Sequence, residues 1–199
     1  MFSGIVEEIG KVKEIIELPK DKILIINAHT ILNGIKIGDS ISVNGCCLTV
    51  VTFEDHSFTV QVVYETLKRS NINRLKIDSK VNLERSITMN QRIGGHLVQG
   101  HVDSMVKIIS IESQGNSKIV RFNCSSELAP YVVNKGYIAL DGMSITVIEV
   151  GDSWFSVMLI PHTLQHTTAH EYTIGQKINV EVDIIGRYIE KFLIISKKV

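Results

Sequence analysis

The sequence predicts an all-β barrel protein in which one barrel has been built twice. Three observations carry this. Ile and Val dominate while Pro is scarce, at three residues in 199. Short apolar runs end in Gly, Asn or Asp, the composition of strands closed by tight turns. Finally, blocks of the first half return in the same order in the second half, at a nearly constant offset.

Ten segments read as strands: ILIINAHT, SISVNG, CCLTVVTF, SFTVQVV, KVNLERSI, IVRFNC, YIALDG, SITVIEV, FSVMLI and KINVEVDI. Most are short and rich in β-branched residues, as barrel strands are. NGCCLTVV at Asn44 reappears as DGMSITVI at Asp141, a shift of 97 positions. FTVQVVYETL at Phe58 matches FSVMLIPHTL at Phe155, and VNLE at Val81 matches INVE at Ile178, both again by 97. SGIVEEIGKV at Ser3 aligns with QGHVDSMVKI at Gln99 with a shift of 96, so one residue has entered between. A period this long means duplicated domains and not a solenoid. The predicted units are residues 1–96 and 97–184, followed by a tail at 185–199. In that tail, Ile185, Tyr188, Ile189 and Phe192 fall at helical spacing. The stripe could pack on its own barrel or on another chain; Gly186 weakens the helix start, and the final SKKV is expected to fray.

Composition excludes several classes. The 21 acidic and 21 basic residues cancel, which disfavours an electrostatic grip on nucleic acid or on anionic lipid. Aromatics are 6% with no evident stacking platform, and no G-x-G-x-x-G fingerprint follows a strand. Three cysteines, two of them adjacent, make no disulfide framework. The start MFSGIVEEIG carries glutamates at once and lacks a basic leader, so no signal peptide is expected. No apolar run approaches the roughly 20 residues a membrane helix needs. The expectation is a soluble, cytoplasmic protein.

Strand alternation then sorts side chains. In CCLTV, Cys46, Leu48 and Val50 share one face while Cys47 and Thr49 share the other; in MSITV, Met143, Ile145 and Val147 oppose Ser144 and Thr146. Each copy thus has an apolar face for its core and a small polar pair pointing elsewhere. Such a pair is either a solvated strand face or one wall of a small-molecule pocket. Its recurrence at equivalent places in both copies favours a pocket on each barrel, with sulfur in one and a hydroxyl in the other.

The motifs MFSGIVEE, NGCCLTV, YETLKRSNI, GGHLVQGHVD, DGMSITV and LIPHTLQHTT, in this order, resemble the riboflavin synthase family of the α-chain type, over about residues 1–193. The resemblance implies two six-stranded Greek-key β-barrels plus a C-terminal α-helix, assembled as a homotrimer. It implies a transferase that exchanges a four-carbon unit between two molecules of 6,7-dimethyl-8-ribityllumazine. The products are riboflavin and 5-amino-6-(D-ribitylamino)uracil, with no metal and no dissociable cofactor. A productive site would join the N-barrel of one subunit to the C-barrel of its neighbour, and an association with lumazine synthase stays open. Lumazine proteins, the optical antennae of luminous bacteria, share the duplicated fold; they lack the GGHLVQGH histidines and the intact CCLTV that this chain keeps.

The chemistry needs a proton taken from the donor's 7-methyl group and a nucleophile at C7 of the acceptor. His101 is the first candidate for proton transfer, because imidazole exchanges protons near neutral pH. Its counterpart in copy one is Ile5, so only one copy carries it. His96, five residues earlier, reads as a support for the loop. Cys47 resembles the family's nucleophile or activator, with Ser40 just upstream; whether sulfur, hydroxyl or water attacks is left open. Asp183 matches a family aspartate near the site, or is a surface acid at a strand end. The resemblance further implies that the N-barrel ligand meets Gly4, Ile5, Val6, Cys47, Leu48, Thr49, Gln61, Val62, Val63, Tyr64, Glu65 and Thr66. The C-barrel ligand would meet Gly100, His101, Val102, Lys135, Ser144, Ile145, Thr146, Met158, Leu159, Ile160, Pro161, His162 and Thr163. Gly4 and Gly100 are expected to let a flat ring approach the backbone. His162, His166 and His170 fall at i, i+4 and i+8, where a continuous helix would align them like metal ligands. Copy one has no histidines there, and no metal site is expected.

Overall fold

The computed structural model describes residues 1–196; residues 197–199, the last three of the tail expected to fray, lie outside the described part. The first barrel contains β1 (Glu8–Glu17), β2 (Lys22–Asn27), β3 (Ser40–Val43), β4 (Cys46–Glu54), β5 (Ser57–Val62) and β6 (Lys80–Arg85). A short helix, α1 (Tyr64–Arg69), lies between β5 and β6. The second barrel repeats the order with β7 (Ser104–Gln114), β8 (Ser117–Asn123), β9 (Tyr137–Leu140), β10 (Met143–Val150), β11 (Trp154–Leu159), α2 (Pro161–His166) and β12 (Lys177–Val182). The helix α3 (Ile184–Ser196) follows. Around the first barrel the strands run β1-β2-β5-β4-β3-β6, and the second follows the same circuit, so each is a closed, antiparallel, six-stranded barrel. Closure leaves no free sheet edge.

The duplication extends to irregularities. Bulges interrupt β1 between Val12 and Glu14 and β7 between Ile108 and Ser110. They also interrupt β4 between Val50 and Thr52, and β10 between Val147 and Glu149. Extra residues at matching points bend each sheet onto itself. β1 and β7, absent from the ten segments read as strands, explain that omission. Only Gly10 and Val12 of β1 are buried, and its second half is mostly exposed beside β2. The amphipathic, charge-bearing run EIGKVKEIIE therefore gives no apolar block to find.

Each barrel encloses its own core. Leu24, Ile26, Ile41, Phe58 and Leu83 are wholly buried in the first, and Ile108, Phe122, Phe155 and Val157 in the second. Each such side chain contributes about 1.5–3 kcal/mol relative to exposure. As alternation predicted, Cys46, Leu48 and Val50 point inward in β4 while Cys47 is half-buried and Thr49 exposed.

The barrels meet along a local two-fold axis. The type I′ turn between β3 and β4 (Asn44, φ 46°; Gly45, φ 80°) abuts its twin between β9 and β10 (Asp141, φ 44°; Gly142, φ 82°). A Cβ on Gly45 would lie 2.8 Å from the nitrogen of Gly142, so only glycine allows the contact. Asn82 Nδ2 donates to Asp141 O at 2.9 Å, and its repeat mate Asn179 donates to Asn44 O at 2.8 Å. Phe2 and Val98, also repeat mates, form a reciprocal backbone bridge, with N–O distances of 2.7 and 3.1 Å. Symmetry breaks at one buried charge. Asp141, where copy one has Asn44, accepts from Asn71 Nδ2 (2.8 Å), Asn179 N (2.9 Å) and Tyr172 OH (3.1 Å). Burial pushes its carboxyl up to about 7 against those three bonds.

Candidate active site

The segments before β1 and before β7 cross the seam. Gly4 O accepts from Ser144 N at 2.8 Å, and Gly100 O accepts from Cys47 N at 2.8 Å. Gly4–Val6 thus lies on the C-barrel and Gly100–Val102 on the N-barrel. This corrects the expected grouping, which kept each segment with the strands of its own repeat. The two glycines also allow a close approach between the repeats. A Cβ on Gly4 would come within 2.5 Å of Ser144 Cβ, and one on Gly100 within 2.6 Å of Cys47 Cβ. With φ near +76° and +79°, they let one backbone press on the opposite barrel's strand.

Two cavities result. The larger, about 610 Å³, opens on the N-barrel between Cys47, Thr66, Gly100, His101 and Val102, with Arg187 at its far wall. His101 and Cys47 are therefore brought together although they belong to different repeats. Cys47 is the accessible thiol. Its neighbour Cys46 is buried in the core, and burial drives that thiol up to about 12. Glu65 and Arg69 of α1 form an ion pair at the rim. Asp103 lines the cavity and pairs with Arg187; burial holds its carboxyl above the usual range, opposed by Val182 N–H and by the guanidinium.

The smaller cavity, about 100 Å³, lies on the C-barrel among Gly4, Ile5, Ser144, Ile145, His162 and Thr163. Ser144 stands where copy one has Cys47, and its hydroxyl is 2.7 Å from His96 Nδ1. His96 is 7% exposed and stacks on Tyr137 with 5.3 Å between ring centres. Burial lowers its pKa, with the nearby Asp183 charge opposing, so the ring favours its neutral form against the hydroxyl. His96 thus supports the loop, as expected, and also orients Ser144.

The other expected residues divide by burial. Leu48, Val62 and Leu159 face the cores, so only their backbone can meet a ligand. Thr49 and Thr146 are exposed on the outer faces; Ser40, paired with Thr49, lines a separate cavity with Glu7 and Arg85. Gln61 and Tyr64 are tied to Asp21, while Val63 and Ile160 are exposed caps before α1 and α2. Pro161 opens α2 and Met158 is half-buried. Lys135 occupies an exposed turn at φ 62°, where copy one has Gly38, and lines neither of the two cavities. Asp183 Oδ1 accepts from Ile185 N at 3.0 Å, capping α3. His162 and His166 stack at 4.2 Å, but α2 ends at His166 and His170 turns to Glu171. The three imidazoles do not converge, and no group of three metal-ligating side chains occurs among the described residues.

Two glutamates escaped the sequence reading. Glu84 accepts from Ser3 N, Ser3 Oγ and Gly4 N, and Glu181 accepts from the backbone of Gln99, Gly100 and His101. Their signal was present in VNLE and INVE, where both repeats end on the same acid.

A doubled barrel with a cavity on each copy, walled by the other copy's leading segment, defines a class of duplicated-barrel proteins with two related pockets. The chain belongs to the lumazine binding domain family, whose model matches residues 3–86 and 99–183. It is 44% identical to the riboflavin synthase of Actinobacillus pleuropneumoniae, covering 98% of this chain and 90% of that one. It is 42% identical to the riboflavin synthase of Bacillus subtilis (strain 168), over 97% and 90%. Among solved structures, LumP complexed with riboflavin superposes with a TM-score of 0.86 at 22% identity, covering 92% of this chain and all of that one. LumP complexed with 6,7-dimethyl-8-(1'-D-ribityl) lumazine gives 0.84, also at 22% identity. No helix among the described residues is long and apolar enough to cross a membrane.

Proposed function

We propose that the chain is a riboflavin synthase acting as a cytoplasmic homotrimer. Two molecules of 6,7-dimethyl-8-ribityllumazine exchange a four-carbon unit, giving riboflavin and 5-amino-6-(D-ribitylamino)uracil. The observation that carries this reading is the pair of cavities at equivalent places of the two barrels, alike in backbone and different in chemistry. Donor and acceptor are the same compound, so matched cradles suit both, and unlike side chains tell them apart. One cradle has Cys47 beside His101; the other has Ser144 held by His96.

In this reading His101 takes and returns the proton of the donor's 7-methyl group. Cys47 supplies or activates the nucleophile. Asp183 holds α3 and places negative charge near His96. Ser40 has an outward hydroxyl on the same sheet face as Cys47 and Thr49. Holding both rings face to face is worth up to about 7–11 kcal/mol in a bimolecular step. The C-barrel cavity is too small for a whole lumazine, which supports completion of the site by a second subunit. The apolar residues Tyr188, Ile189 and Phe192 of α3, all more than half exposed, support a helix-mediated assembly.

The test is direct. The purified protein mixed with the lumazine should develop riboflavin absorbance and fluorescence. Cys47→Ser and His101→Gln should each lower turnover by at least about tenfold while ligand still binds. Stable lumazine fluorescence without product would refute the enzyme and indicate an antenna.

A further inference from the structure

The buried glutamates bear on how His101 reaches its cavity. Glu181 is 6% exposed and accepts from three successive backbone N–H groups: Gln99 at 2.6 Å, Gly100 at 2.9 Å and His101 at 3.0 Å. Successive N–H groups converging on one carboxylate form a cradle that fixes the local backbone and compensates the buried charge. On the far side of the same segment, Gly100 O takes the Cys47 N–H at 2.8 Å. The main chain at His101 is therefore clamped between a carboxylate of β12 in its own barrel and strand β4 of the other. Glu181 does not line the cavity that holds Cys47, so it works through the segment it grips. The first copy has the same clamp: Glu84 accepts from Ser3 N (2.7 Å) and Gly4 N (3.1 Å), and the residue delivered is Ile5. One clamp thus carries His101 to the cavity that holds Cys47, and its twin carries Ile5 to the cavity that holds Ser144.

We infer that Glu181 is a positioning residue for His101, setting the imidazole against the N-barrel cavity through the backbone of Gln99–His101. This rests on the riboflavin synthase reading and adds to it a group that does not meet the substrate. Glutamine in its place keeps one acceptor but turns an amide N–H₂ towards backbone donors, so the clamp loosens. A displacement of about 1 Å at a reacting group costs on the order of 10²-fold in rate.

The experiment is a double-substitution cycle on the full-length protein, with 6,7-dimethyl-8-ribityllumazine as probe. Glu181→Gln should lower kcat by about 10- to 100-fold. It should leave the lumazine dissociation constant within about threefold, and speed amide hydrogen exchange at residues 99–101. In a His101→Gln background the same change should alter the residual rate, and 7-methyl proton exchange followed by NMR, by less than about twofold, because no imidazole remains to be placed. Glu181→Asp should recover part of the lost kcat, and carries the same cycle if the Gln variant fails to fold. Additive losses, or an unchanged kcat, would overturn the positioning role while leaving the enzyme reading intact. A wild-type protein that makes no riboflavin would overturn both.

Discussion

The exchange of leading segments across the seam has an energetic consequence at Gly100. In Gly100→Ala the new Cβ meets Cys47 Cβ at 2.6 Å, Cys47 N at 2.8 Å and Phe2 Cε2 at 2.9 Å. Ordinary carbon contacts sit at about 3.5–4.0 Å, so the segment must retreat by roughly 1 Å. That retreat breaks the Gly100 O–Cys47 N bond, worth about 1 kcal/mol net. Repacking around Phe2 adds about 1–3 kcal/mol. The left-handed backbone at φ +79° adds about 1–2 kcal/mol for a residue with a side chain. The total is about 3–6 kcal/mol. Gly38→Ala is the internal control: its φ is +93° and nothing lies within 4 Å of the added carbon, so it should lose only the backbone share. Urea or thermal unfolding of both variants separates the terms. The Gly100 variant should melt well below the Gly38 variant, at about 2–4 °C per kcal/mol for a chain of this size. If the two differ by less than about 1 kcal/mol, the glycine is not pressed on Cys47 and the exchange is wrong.

Asp141 predicts a pH effect. Its folded-state value of about 7 lies above the ordinary 3.8, so the native state retains a proton that the unfolded chain has released. The stability this confers is complete below about pH 4 and is lost as pH rises through 7. Asp141→Asn should flatten the decline in melting temperature between about pH 4 and 7, to which Glu84, raised by burial to about 6, adds the same share in both proteins; equal slopes in the two proteins would refute this. Separately, deletion after Asp183 removes the exposed stripe of α3 and should lower the mass found by light scattering. An unaltered mass would remove that helix from the assembly.

The sequence was informative where the physics is local or repeated. Alternation in CCLTV and MSITV correctly divided core from outer face, because successive strand side chains must point oppositely. Repetition at a fixed offset announced two equal barrels, and α3 was visible from the spacing of Ile185, Tyr188, Ile189 and Phe192. The strands β1 and β7 were missed because only two residues of each are buried, and polar or charged residues interrupt their apolar ones. His96, Glu84 and Glu181 were visible as residues, but their partners lie 48 to 82 positions away.

What the sequence by itself determined is the unit: a six-stranded barrel, made twice, with a thiol in one copy and a hydroxyl in the other at the same strand position. Tertiary structure alone decided which leading segment serves which barrel. A repeat alignment pairs every segment with its own strands, whereas the short segments before β1 and β7 lie side by side on the local axis and can cross it. A glycine with positive φ permits close approach without naming what approaches. Only the packing of Gly100 on Cys47 brings His101 and Cys47 to one cavity, as that of Gly4 on Ser144 brings Ile5 to the other.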